Sequence, residues 1–175
     1  VIWHTQGSGK TALAFSNVHF LRDYYQNQGE IAKFYFIVDR LDLATQAKAE
    51  FEARGLKVNT ISSKEDFKTN IAAVRETDNT GKTSITVVNI QKFSDESVTK
   101  QSDYNVSVQR IYFLDEAHRS YNPKGNYLAN LINSDRNAVI IALTGTPLLR
   151  EVAKEYDSKM LFGNYFHKYY YNSSI

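Results

Sequence analysis

Three short clusters in this chain bring together residue types that handle phosphate, metal and water. The first is HTQGSGKT, residues 4–11. A phosphate cradle is a glycine-rich turn running straight into a helix, G-x-x-x-x-G-K-[ST]. Its backbone N–H groups must point at the anion, with a helix N-terminus behind them. Here Gln6, Gly7, Ser8 and Gly9 would form the turn. Lys10 would reach β- and γ-phosphate oxygens, and the Thr11 hydroxyl would bind Mg²⁺. His4 stands where the pattern has its first glycine. Histidine tolerates positive φ better than most residues, so it can serve the turn without touching nucleotide. The competing interpretation is a glycine-rich strand-to-helix turn with an accidental Lys-Thr.

The second cluster is Asp115-Glu116-Ala117-His118, directly after the apolar run Ile111-Tyr112-Phe113-Leu114. A carboxylate at the end of such a strand helps hold Mg²⁺, usually through water. Glu116 would then polarise an attacking water as general base, and His118 would relay between the γ-phosphate side and other elements. Without a cradle upstream, the same letters would describe a solvated acidic helix start. The third cluster is Thr144-Gly145-Thr146-Pro147, again after a buried run. Alone it is a turn. Beside the other two, Thr144 and Thr146 offer hydroxyls that could bond to Glu116 or His118 and couple the site to its surroundings.

Two more polar segments follow apolar runs. One begins Asp39-Arg40 and continues to Gln46; the other contains Gln91-Lys92. Arg40, Gln46, Gln91 and Lys92 are candidate contacts to DNA phosphates, which carry affinity without reading sequence. Ordinary surface and cap roles explain them equally well. His19 and His167 lack ligand-spaced partners, which argues against zinc. The aromatic tail, residues 162–171, is expected to pack against the sheet or to be a surface uncovered by truncation.

These clusters need elements to hold them. Residues 34–38, 57–61, 85–90, 110–114 and 138–143 read as strands, and residues 1–3 as the end of another. The runs at 34–38 and 110–114 are continuously apolar, as in strands covered on both faces. Helical spacing marks 10–27, with Leu13, Val18, Leu21 and Tyr25 on one side and Gly29 as a stop. It also marks 41–54, ended by Gly55, and 127–133 and 148–161. Ser63 with Asp66 signals an N-cap for a helix to about residue 75. Residues 77–82 read as a polar turn, and 94–107 as loop or irregular helix. Alternation of this kind predicts an α/β domain of three layers, a mostly parallel central sheet with helices on both faces. Ligands in such sheets bind at the carboxyl ends of strands, so the three clusters should converge there.

Composition excludes little else. The 175 residues, 42% of them hydrophobic, make an ordinary globular domain. No cysteine is present, so there is neither a disulfide framework nor a thiolate metal site, in keeping with a reducing compartment. No apolar run approaches the roughly 18 residues of a membrane span. A net charge of +2 permits nucleic acid as a partner without arguing for it. The sole methionine is Met160 and the chain starts just before the cradle, so a piece of a longer protein is expected.

Taken in order, HTQGSGKT, VDRLDLATQ, NIQKF, DEAHRS and ALTGTP resemble the first RecA-like motor lobe of superfamily 2 helicases and translocases. More narrowly, the chain resembles the R (restriction) subunit of type I restriction-modification enzymes, as does its ending LFGNYFHKYY. That resemblance covers essentially the whole chain and includes a histidine at the first cradle position. It implies a P-loop NTPase lobe binding ATP and Mg²⁺, with Asp115 and Glu116 serving metal and water and Thr144 and Thr146 coupling hydrolysis to movement on double-stranded DNA. The implied partners are methyltransferase and specificity subunits and a second motor lobe of the same chain, which supplies the arginine completing the site. The implied setting is the cytoplasm of a bacterium or archaeon. A nuclease domain is expected upstream, and the fragment alone should bind nucleotide weakly and hydrolyse little. A DEAH-type helicase or remodeller outside restriction, a phosphate-loop switch or kinase, and an interaction domain with an idle site are the alternatives.

Overall fold

The computed structural model describes residues 1–4, 9–61, 63–74, 83–89, 104–116, 131, 135–145 and 162–169. The expected helices at 127–133 and 148–161 and the turn at 77–82 lie outside these, save for Leu131. Seven strands form one sheet: β1 (Ile2–His4), β2 (Ile31–Val38), β3 (Lys57–Ile61), β4 (Ser84–Asn89), β5 (Val108–Asp115), β6 (Val139–Thr144) and β7 (His167–Tyr169). Their order is β3-β4-β2-β5-β6-β1-β7, and every pairing is parallel. The helices are α1 (Lys10–Asn27), α2 (Leu41–Ala53) and α3 (Lys64–Ala72).

The continuous apolar runs explain why the centre of the sheet is covered twice. Along β2 and β5, successive side chains point to opposite faces. Phe34, Phe36, Val38, Ile111 and Phe113 join Ala14 and Val18 of α1 and Ala47 and Phe51 of α2 in one core. Tyr35, Ile37, Tyr112 and Leu114 join Phe67 and Ile71 of α3 in the other. Burying each such large side chain stabilises the fold by about 1.5–3 kcal/mol. On α1, Leu13, Leu21 and Tyr25 pack beside Val18, the stripe predicted from spacing.

Local signals set the helix ends. Ser63 Oγ accepts from Asp66 N–H at 3.0 Å, the expected N-cap of α3. Gly55 takes φ +89° and donates to Glu52 O, closing α2 through a conformation that disfavours any side chain. Helix α3 stops at Ala72, short of residue 75, and Ala73 turns extended at φ −70° and ψ 135°.

The aromatic tail does more than pack. Its residues His167–Tyr169 form β7, with Ile2 paired to His167, Trp3 to Lys168 and His4 to Tyr169. Strand β1 is thus interior to the sheet. Phe166 N–H donates to Val1 O at 2.8 Å, fastening the segment before β7 to the start of β1. Three residues are too few to show a period of two, so this strand left no pattern to read.

At the amino-terminal edge of the sheet sits a buried ionic network. Arg110 Nε and Nη2 donate to the two Asp135 carboxylate oxygens at 2.5 and 2.9 Å, Arg110 Nη1 donates to Asn105 O at 2.6 Å, and Tyr112 Oη donates to Asp135 at 2.9 Å. Next door on β2, Lys33 stands opposite Arg110. Its ammonium donates to Asn70 O at 2.7 Å, and Tyr35 Oη donates to Asn70 Oδ1 at 2.8 Å. Burial and the neighbouring negative charge of Asp135 hold the Tyr112 phenol well above its ordinary pKa, so it stays a donor. Arg110 and Asp135 are only 2% and 3% exposed, so removing one partner strands a buried charge. Asp135→Ala is expected to lower the unfolding free energy by about 3–5 kcal/mol, measured by urea denaturation. The double replacement Arg110→Met with Asp135→Leu should recover much of that loss.

Candidate functional site

Because every strand is parallel, β1, β2, β4, β5 and β6 all deliver their carboxyl ends to one edge. His4 ends β1, Asp115 ends β5 and Thr144 ends β6, while Asp39 follows β2. The register fixes their neighbours: Trp3 pairs with Thr144, Asp115 with Leu143 and Ile37 with Leu114. The expected convergence of the first, second and third clusters is present in the described parts of each.

Helix α1 starts at this edge, with Gly9 as its N-cap in the left-handed region at φ +81° and ψ 31°. A Cβ here would be strained by the backbone alone, which is why glycine occupies the position. The first turn of α1 carries no acidic residue. The positive end of its dipole therefore meets no acidic side chain of its own first turn, and such a helix start favours an anion. Lys10 and Thr11, both partly buried, open the helix.

The strongest link in the site joins two clusters 106 positions apart, the difference between 116 and 10. Lys10 Nζ lies 3.3 Å from Glu116 Oε1, with both side chains largely buried at 11% and 18% exposure. Glu116 adopts φ +49°, the one non-glycine positive φ among the described residues. Such a conformation costs of order 1–3 kcal/mol and gathers at working sites. It turns the chain sharply off β5, leaving the carboxylate beside the cradle lysine.

Asp115 is shaped by burial. Desolvation raises its pKa from 3.8 to about 6. Lys10 opposes the shift, while the charges of Glu116 and Asp39 add to it. Its Oδ1 is buried and meets no hydrogen-bond partner among the described residues. A buried carboxylate oxygen left without a donor is costly unless something cationic or a bound water completes it. The unpaired Asp115 oxygen fits a divalent cation or its bound water, and Thr11 lies in the first turn of α1, which starts at the same edge.

Thr144 is 1% exposed, between Asp115's strand and β1. Just beyond it, Gly145 O accepts a bond from Trp3 Nε1 at 3.3 Å, tying the third cluster to the strand that leads into the cradle. Arg40 and Gln46 lie on or just before α2 and are exposed. Arg40 grips Asp42 through Nε and Nη2 at 3.1 and 2.6 Å, and Gln46 donates to Glu50 at 3.1 Å. Gln6, Gly7, Ser8, Gln91, Lys92, His118 and Thr146 lie outside the described residues. Among these, no group of three or more histidine or acidic side chains is arranged to hold a metal unaided, and no helix is long and apolar enough to cross a membrane. Sequence reasoning passed over Asp39. Its signal was available, a carboxylate following an apolar strand just as Asp115 does.

The comparisons with known proteins agree with this geometry. The chain is 31% identical over 180 residues to a type I restriction enzyme endonuclease subunit (SsaAORF53P) of Staphylococcus saprophyticus, covering 99% of this chain and 18% of that protein. It is 29% identical over 182 residues to the SauCOLORF180P endonuclease subunit of Staphylococcus aureus strain COL, again 99% and 18%. It is also 29% identical over 162 residues to a putative type I restriction enzyme endonuclease subunit (MjaVIIIP) of Methanocaldococcus jannaschii, covering 85% and 15%. The chain thus spans less than a fifth of the length of these relatives. The family described as SWI2/SNF2 ATPase matches residues 1–175, every element that builds the site included. The chain belongs to the SWI2/SNF2 ATPase family, and an ATPase domain binds nucleotide.

Proposed function

We propose that residues 1–175 are a single RecA-like, ATP-binding motor lobe within a type I restriction endonuclease R subunit. In the whole protein the lobe couples ATP hydrolysis to translocation of double-stranded DNA before cleavage. The observation that carries this reading is the Lys10–Glu116 contact of 3.3 Å, which brings these two side chains together at one strand edge. Support for restriction in particular comes from the relatives aligned over 99% of the chain. The family match would also suit a remodeller or helicase outside restriction.

In this reading Gln6, Gly7, Ser8 and Gly9 wrap the phosphates with backbone N–H groups, and the α1 N-terminus adds its dipole. Lys10 exchanges Glu116 for β- and γ-phosphate oxygens when nucleotide enters. Glu116, released from that pair, accepts a proton from the attacking water. Thr11 and Asp115 would hold Mg²⁺, which neutralises charge developing on the phosphates. His118, Thr144 and Thr146 transmit the change from the γ-phosphate side into the sheet. Arg40, Gln46, Gln91 and Lys92 lie on segments suited to DNA phosphates, Arg40 having first to leave Asp42. The reading also implies a second lobe supplying an arginine, methyltransferase and specificity subunits as partners, and the cytoplasm of a bacterium or archaeon. The lobe alone would turn over ATP little.

Two measurements test the reading. The first is ATPase activity of the full-length protein with and without duplex DNA. DNA should stimulate the wild type. Glu116→Gln should lower kcat about 10²–10⁴-fold while nucleotide still binds, and Lys10→Ala should abolish nucleotide binding. Unchanged nucleotide binding by Lys10→Ala would mean the cradle is idle. The second is stability against pH without nucleotide or divalent cation. With its pKa raised to about 6, folded Asp115 keeps a proton that the unfolded chain releases near 3.8. Asp115 therefore costs stability as pH rises through that window, and the cost is complete above it. Asp115→Asn should raise Tm at pH 7–8, and the gain should shrink toward about pH 4.5. A pH-independent difference would remove the desolvation argument.

A further inference from the structure

One carboxylate at this edge has no role in the reading above. Asp39 follows β2 immediately, and β2 lies directly against β5. The last pair of the two strands is Ile37 with Leu114, so Asp39 and Asp115 follow it at the same end of the sheet, close enough for the Asp39 charge to act on Asp115. Asp39 Oδ1 is buried and, like Asp115 Oδ1, meets no hydrogen-bond donor among the described residues. Its basic neighbour in sequence does not compensate it, because Arg40 turns outward to Asp42.

The charges at this edge do not balance. Asp39, Asp115 and Glu116 bring three carboxylates, and the described cation acting on Asp115 is Lys10, already paired with Glu116. Among the described residues two carboxylates remain without a paired counter-charge, and both present a buried oxygen that lacks a donor. Uncompensated carboxylates side by side repel and are costly to bury. Two negative charges and two open acceptor oxygens match a hydrated divalent cation, whose water molecules are donors. Bulk water does not satisfy them, since both oxygens are buried.

We propose that Asp39 is a positioning residue of the cation site, accepting a hydrogen bond from water bound to the divalent cation that Asp115 faces. This rests on the reading that the edge takes nucleotide with a divalent cation. Asp39 does not touch the reacting phosphate. It orients the hydrated metal from the β2 side, as Asp115 does from the β5 side, and so ties the start of α2 to the state of the nucleotide site. Outer partners of this kind change metal affinity by about 10–100-fold when removed.

The test uses the full-length protein with Mn²⁺ as the probe, read by its electron paramagnetic resonance in the presence of a non-hydrolysable ATP analogue. Asp39→Asn should weaken Mn²⁺ binding at least tenfold. In EDTA, the same variant should bind the analogue more tightly than wild type, because a carboxylate that repels the phosphates has been removed. Opposite signs in the two assays are what a merely structural role would not produce. Unchanged Mn²⁺ affinity, or parallel weakening of metal and nucleotide, would overturn the proposal. Asp115→Asn is run beside it. If Asp115→Asn weakens Mn²⁺ and Asp39→Asn does not, the Asp39 assignment alone fails. If neither does, the cation site itself is wrong.

Discussion

Everything at this site depends on the parallel register of four strands, β2, β5, β6 and β1. Parallel pairing forces each connection to cross a face of the sheet, so every strand in the set points the same way. The carboxyl ends then share an edge by geometry, however far apart they lie in sequence. Ile37 opposite Leu114, Asp115 opposite Leu143 and Thr144 opposite Trp3 are the pairings that matter. A slip of one residue in β5 would turn Tyr112 and Leu114 into the other core and move Asp115 away from Lys10. Both faces are apolar, so the slip is opposed by the polar contacts that only this register allows, Arg110 and Tyr112 to Asp135 and Tyr35 to Asn70.

The two edges of the sheet are built on opposite electrostatic principles. At the amino-terminal edge the described polar groups are satisfied. Arg110 and Lys33 would repel across the register, yet Asp135 and the Asn70 carbonyl absorb them, and the Tyr112 and Tyr35 hydroxyls complete the set. Rings reinforce it, with Tyr35 stacked on Tyr112 at 5.0 Å and Arg110 over Tyr104 at 5.0 Å. At the carboxyl edge, buried carboxylate oxygens lack donors and Glu116 sits in a strained backbone conformation. A ligand can lower the energy of the second edge far more than that of the first. Saturation at one end supports a structure that tolerates frustration at the other.

Much of this was legible in the sequence, and the misses have physical reasons. Continuous apolar runs identified β2 and β5 as doubly covered strands, because only a buried parallel strand needs apolar residues on both faces. Ser63 with Asp66 and Gly55 announced helix ends because their chemistry is local. The meeting of Lys10 with Glu116 could be expected from topology, since both follow strands of one parallel sheet. The strand β7 was not legible. Its HKY sequence carries no periodicity, and its pairing with β1 depends on contacts more than 160 positions apart. The Arg110–Asp135 pair was hidden for a similar reason: an arginine inside a strand and an aspartate in a turn look like surface residues until folding brings them together. Asp39 was overlooked because Arg40 beside it suggested an exposed segment, whereas the two side chains face different environments.

The Lys10–Glu116 contact also places a counter-charge where α1 begins. An ammonium held among backbone dipoles that already favour anions would be poorly placed at a helix N-terminus. Glu116 supplies the missing negative charge from another strand, and its left-handed backbone is what lets it reach. In the proposed reading, the same contact occupies the carboxylate that would otherwise activate water. Under the proposed function, phosphate oxygens would compete with Glu116 for Lys10, so nucleotide binding and release of the carboxylate would be one exchange rather than two events. In that reading the strain at Glu116 is part of the balance, favouring separation of the pair, while the two cores on either side of β5 hold the strand end still.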